Sequence, residues 1–195
     1  MTQTKIANYI SDGLNPLALG IMTLAAVSLE ATATTFEAFR WFLLVTALNI
    51  LPILTVAIIL VRSGRMDALF SNRRHQRHRI YVIGLFFTVI TLLLLNWISA
   101  PTAIIAAVLI ALVTVVTFAA VNLWWKISVH TSTTSAFVVM LHVFYGWWAL
   151  PSLLLLPAMA WSRVKLAQHT LGQVIAGAVV SAGIVLIIFF QYGII

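Results

Sequence analysis

The side chains with chemical capacity in this chain fall into three short polar patches set in apolar sequence. The stretch WSRVKLAQHTLGQVIAG, residues 161–177, holds the pair Ser162-Arg163, then five residues, then His169, with Gln173 four positions further on. A second patch reads Lys126-Ile127-Ser128-Val129-His130. A third, residues 62–79, carries six arginines, two histidines and one aspartate. This combination suits phosphoryl transfer. Cations hold the non-bridging oxygens and neutralise the charge that builds in the transition state. The planar fork of arginine matches two oxygens at once. An imidazole nitrogen can take the phosphoryl group covalently, and a second, protonated imidazole can donate to the leaving oxygen. His169 is thus the candidate nucleophile and Arg163 a candidate phosphate holder. With only four acidic residues in the chain, there is no carboxylate cluster to bind metals.

The surrounding composition says where such a site would sit. The 195 residues are 63% hydrophobic and 8% charged, against about 25% charged in a soluble domain. So apolar a chain belongs in a bilayer. The net charge of +7 reflects short loops between apolar runs, which argues against nucleic acid as a partner and for membrane lipids. The absence of cysteine excludes disulfides and thiolate metal sites. The first 15 residues, polar and mixed, lack the basic region, apolar core and small-residue cleavage site of a signal peptide.

Apolar runs and their breakers predict a single all-α transmembrane domain over residues 1–195, a polytopic bundle of about six to seven spans. These are about 16–32, opened by Asn15-Pro16, then 39–61, 80–98, 102–125, 133–149, a short 151–161 after Pro151, and 170–190. Pro52 is placed to kink the second, and Asn49 there needs a partner inside the bundle. All seven tryptophans fall near proposed span ends, as an interfacial belt requires. Two spans separate the arginine loop from the Ser128-His130 patch, and two more separate that patch from Arg163. Even numbers of crossings return the chain to the same face, so the three patches converge at one end of the bundle, with the N-terminus beside them and the C-terminus opposite. Lys5, Arg62, Arg65, Arg73, Arg74, Arg77, Arg79, Lys126, Arg163 and Lys165 all lie on that face and only Arg40 near the other. The positive-inside rule then predicts that the patches are cytoplasmic.

Ser162-Arg163, five residues, His169 is similar to the third signature of the type 2 phosphatidic acid phosphatase superfamily, Ser-Arg-x5-His-x3-Asp. Lys126-Ile-Ser128-Val-His130 resembles its second, Pro-Ser-Gly-His, with serine and histidine kept. The arginine loop stands where its first signature, Lys-x6-Arg-Pro, would be, but contains no Arg-Pro pair. The resemblance covers roughly residues 62–190. It implies that His169 attacks phosphorus, that His130 protonates the leaving group, and that Arg163, Lys126, Ser128 and one or two of Arg73, Arg74 and Arg77 cradle the phosphate. It implies a lipid or isoprenoid phosphate or diphosphate as substrate, entering from the bilayer, and no metal or other cofactor. The family's final aspartate, which holds the nucleophilic imidazole, is Gln173 here. One helical turn after His169, its amide oxygen can accept the same hydrogen bond without charge. Losing the carboxylate of a serine protease triad lowers the rate about 10⁴-fold; here the histidine attacks directly, so the expected loss is smaller.

Plainer roles stand beside these. Thr170-x-x-Gln173 fits a capping box. Arg62, Arg65 and Arg79 read as lipid headgroup anchors, and His75 and His78 as solvated. Gly177 and Ser181, like Ala178 and Ala182, are small residues four apart that favour close helix packing. His142 lies within a span, where an ionisable residue is a functional candidate. It supports the alternative function, a non-catalytic subunit of a larger membrane complex, ligating a pigment or haem.

Overall fold

A computed structural model describes residues 2–69 and 74–195, and among them the chain is helical with no strand. The elements are α1 (Gln3–Gly13), α2 (Pro16–Glu30), α3 (Thr35–Val45), a π-helical turn (Thr46–Ile50), α4 (Leu51–Arg62), α5 (Arg74–Trp97), α6 (Thr102–Val121), α7 (Val129–Tyr145), a 3₁₀ segment (Gly146–Leu154), α8 (Leu155–Lys165) and α9 (Leu171–Gln191). Five continuous helical stretches among the described residues are long and apolar enough to cross a membrane: Thr35–Arg62, Gln76–Trp97, Thr102–Val121, Val129–Lys165 and Leu171–Gln191. The pair α1 and α2, bent by 42°, adds a sixth when taken together. The protein has the helix set of an integral membrane protein.

The Val129–Lys165 stretch spans 37 residues but is not one rod. An unbroken helix would hold His130 and Arg163 roughly 50 Å apart, yet both line the same cavity. Gly146, at φ 53° and ψ −126°, turns the chain out of α7 in a conformation that disfavours a side chain. The 3₁₀ segment carrying Pro151 follows, and α8 runs back along α7. The hairpin therefore makes two passes, and the ends of α7 and α8 that carry polar residues meet at one face.

Local chemistry explains the other boundaries. Asn15 Oδ1 accepts from Ala18 N at 3.0 Å and Pro16 opens α2, a pairing of cap and first-turn proline that leaves no lost hydrogen bond. Thr34 caps α3 through Glu37 N. Upstream of Pro52 the helix widens into the π-helical turn instead of breaking, because proline supplies no N–H to the turn before it. Asn49 Nδ2 donates to Thr88 Oγ1 at 3.0 Å, so this amide inside the bundle has its partner. Trp97, Trp147 and Trp148 are strongly exposed at one end and Trp124 at the other, where amphipathic rings sit at headgroup level. The first 15 residues, read in the sequence as polar and mixed, form α1. It buries Ala7 and Ser11 against α8.

The most extensive helix–helix contact is that of α7 with α9. Ser135 Oγ donates to Ala178 O at 2.8 Å, Ser132 and Ser181 share a hydrogen bond, and Ser128 N donates to Gln173 O at 3.3 Å. Gly177 permits the approach, since a Cβ there would lie 2.5 Å from Ser128 O and 2.8 Å from Thr131 Oγ1. By contrast, a Cβ on Gly183 would meet nothing within 4 Å. Gly177→Ala should therefore destabilise the protein by about 1–3 kcal/mol, the range for overpacking, seen as a lowered Tm in detergent. Gly183→Ala should leave Tm unchanged.

Candidate active site

The site is assembled at the ends of four helices. The first turn of α5 contributes Arg77, the first turn of α7 His130, the last turn of α8 Arg163, and the link into α9 His169. Together with Met66, Leu69, Ile80, Tyr81 and Val129 these line a cavity of about 130 Å³. The chain reverses tightly between Arg163 and His169. Gln168 N donates to Arg163 O at 3.0 Å and Ala167 N to Val164 O at 3.0 Å, the two bonds of a Schellman motif. Ala167 takes the left-handed conformation at φ 52°, usually a glycine position. His169 N also donates to Arg163 O, at 3.3 Å, so one carbonyl ties the candidate nucleophile to the candidate phosphate holder.

Gln173 does two jobs at once. Its Oε1 accepts from Thr170 N at 3.2 Å, and Thr170 Oγ1 accepts from Gln173 N at 3.4 Å, completing the capping box of α9. The same Oε1 lies 3.0 Å from His169 Nδ1. A backbone N–H can only donate, so the atom facing it is the amide oxygen. That oxygen can only accept, so His169 Nδ1 carries a proton. Nε2 is left with its lone pair, the form a nucleophile needs. The arrangement follows the spacing of Thr170, His169 and Gln173 and requires no acid.

Positive charge dominates. Arg77 and Arg163 line the cavity, and the N-termini of α7 and α9, each with a positive dipole end, begin beside it. No acidic residue lines it. Arg77 Nη1 donates to Ile127 O at 3.2 Å. Arg163 is 7% exposed. Its Nη1 donates to Ser11 Oγ at 2.7 Å, and its Nε is buried with no hydrogen-bond partner among the described residues. A buried guanidinium N–H without a partner is able to donate to an anion oxygen. Burial, with the positive charges of Lys126, Arg77 and Arg163, pushes the His169 imidazole down to about 3, against the opposing pull of its Gln173 hydrogen bond. Burial and the charges of Arg77 and Arg163 likewise lower the Lys126 ammonium.

The remaining sequence candidates have different placements. Lys126 Nζ donates to Gln168 O at 2.6 Å, bracing the turn before His169. Ser128 is fully buried and its Oγ accepts from Thr131 N at 3.4 Å, capping α7. Neither lines the cavity. Arg73 and the side chain of Arg74 lie outside the described residues. His142 donates from Nδ1 to Val138 O at 2.8 Å, and its Nε2 is buried with no partner among the described residues. No group of three or more metal-ligating side chains occurs among those residues. Sequence reasoning missed Ser11 and Tyr81. Tyr81 follows Arg77 by one helical turn, and Ser11 follows Ala7 by one turn, so both were readable only once α1 and the start of α5 were known to be helical at the site.

A second cavity, about 280 Å³ and largely apolar, shares Tyr81 and Val129 with the first. It continues between α2, α6 and α7, where Gly20, Ala107, Ala111 and Ala136 leave room. Comparison of the chain with known protein families, curated proteins and solved structures returns no match.

The low proton affinity of His169 has a direct consequence. The unfolded chain binds this proton near 6.5, the folded protein only near 3. Between those values the unfolded state binds more protons, so this residue's contribution to stability falls as pH drops from about 7 towards 3. The ¹⁵N signals of the His169 ring should report a neutral, Nδ1-protonated imidazole at pH 5. A ring that titrates near 6.5 would contradict the burial and charge seen here.

Proposed function

We propose that the protein is an integral membrane phosphatase that hydrolyses a lipid or isoprenoid phosphate or diphosphate through a phosphohistidine, as the resemblance to the type 2 phosphatidic acid phosphatases implies. The observation that carries this reading is the cavity in which a neutral His169, a second histidine and two arginines meet, with a buried guanidinium N–H of Arg163 unpartnered among the described residues. In the reaction, His169 Nε2 attacks phosphorus as the ester oxygen leaves. Arg163 and Arg77 hold the non-bridging oxygens, and His130 delivers the proton to the leaving oxygen. Water then attacks the phosphohistidine, with His130 taking its proton, and inorganic phosphate departs. The adjoining apolar cavity supports a substrate with a hydrocarbon chain, since the head and the chain would occupy neighbouring spaces.

Gln173 holds the ring in the tautomer that attacks, but it adds no charge to steady the imidazolium-like phosphohistidine. Lys126 and Ser128 contribute by bracing the loop and capping α7. The even crossings, with ten of the eleven lysines and arginines on the site face, support a cytoplasmic site. One observation favours the rival reading, a non-catalytic subunit: the buried, unpartnered Nε2 of His142 is a free ligand atom for a pigment or haem. A chromophore in the purified protein would decide for it.

Inorganic phosphate release from a panel of lipid phosphates, with EDTA present, tests the proposal. EDTA should leave turnover unchanged and His169→Ala should abolish it; full activity in that variant would remove His169 as the nucleophile. Gln173→Asp should keep or raise the rate, because a carboxylate accepts from the same Nδ1–H and adds the missing charge. Complete loss of activity would show that Gln173 acts mainly by capping α9 or through a specific amide contact.

A further inference from the structure

Both members of the Ser162-Arg163 pair are bonded to the N-terminal helix. Ser162 Oγ donates to Ala7 O at 2.6 Å and Arg163 Nη1 to Ser11 Oγ at 2.7 Å. Ala7 and Ser11 lie one turn apart on the buried face of α1, so the two contacts fix the helix in depth and rotation. We infer that Ser11 is a positioning residue for Arg163, holding the guanidinium at the anion site from α1, behind the residues that line the cavity. This rests on the reading of Arg163 as a phosphate holder.

The physical case is one of geometry without neutralisation. A guanidinium is planar, so fixing Nη1 orients its other N–H groups. The buried nitrogen left without a partner among the described residues is Nε. The residue that fixes it is a neutral hydroxyl, although the neighbouring residue on α1, Asp12, is acidic and within electrostatic reach of Arg163. Asp12 is exposed while Ser11 is 5% exposed. A carboxylate in the place of Ser11 would form an ion pair and consume the charge that an anion must meet. A hydroxyl aims the guanidinium and leaves that charge intact.

The test uses the full-length protein in detergent and inorganic phosphate as the probe, with binding followed by ³¹P NMR and Tm measured in parallel. Ser11→Ala should weaken phosphate binding about tenfold, the scale of one hydrogen bond to a charged group, and Ser11→Thr should restore it. Ser11→Asp should keep Tm, because it pairs with Arg163, yet weaken phosphate binding more than Ser11→Ala. In an Arg163→Gln background, Ser11→Ala should have no further effect. Wild-type affinity in Ser11→Ala or in Ser11→Asp would overturn the inference, as would an equal loss in the Arg163→Gln background. Lipid phosphate turnover is scored separately. Ser11-dependent phosphate binding without turnover keeps the inference and removes the phosphatase reading. Turnover with an unchanged KM in Ser11→Ala does the reverse, and a wild-type protein that binds no phosphate removes both.

Discussion

The site depends on how closely α9 can lie against α7. Within a bilayer, lipid tails are as apolar as leucine, so helices associate through packing and hydrogen bonds and not through release of water. Here that association is carried by Gly177 against the backbone of Ser128, by the Ser132–Ser181 and Ser135–Ala178 hydrogen bonds, and by Ser128 N on Gln173 O. These contacts run along the N-terminal halves of both helices. They set His130, in the first turn of α7, relative to His169, at the entry to α9. The seam is thus a structural support and a distance gauge for the two histidines.

A second constraint is electrostatic. Among the described residues, two arginines face a small cavity with apolar walls, and no carboxylate lines it. Buried charge is tolerated when paired or hydrogen-bonded, and backbone carbonyls and a hydroxyl are among the acceptors here. Ile127 O holds Arg77, Gln168 O holds Lys126 and Ser11 Oγ holds Arg163. Neutral acceptors satisfy geometry and leave the positive potential standing. Burial lowers the proton affinity of His169, and the same positive potential lowers it further. Gln173 fits the pattern, since an amide fixes the imidazole as a carboxylate would while leaving the site's net charge unaltered.

Much of this was legible in the sequence, for identifiable reasons. Parity of crossings is insensitive to exact span ends, so the convergence of the three patches survived although α7 begins at Val129 and α8 extends to Lys165. The Thr170, His169 and Gln173 relations are local, set by one helical turn, and the structure reproduces them atom by atom. Asn49 found a partner because an unpaired amide among lipid tails is too unfavourable to persist. Other features were not legible. The part played by α1 depends on contacts between residues 11 and 163, which no local pattern encodes. Ser128 and Lys126 read as ligands by type, but their orientation is decided by the cap of α7 and by the turn after α8. Pro52 was placed to kink its helix, and just before it the backbone widens into a π-helical turn within a continuous helix, which the residue types alone do not show.

The bonds from Ala7 and Ser11 to Ser162 and Arg163 link the first helix of the chain to the last but one. Helices enter a membrane in the order of synthesis, so α1 stays without this partner while some 150 residues follow it. Closing so long a loop is slow relative to forming helices or hairpins. The guanidinium is therefore aimed only after α8 has been threaded back beside α1. A truncated or half-inserted chain would hold its histidines and arginines in the bilayer with the candidate site unfinished. In such a molecule, completion of the site is a checkpoint on completion of the fold.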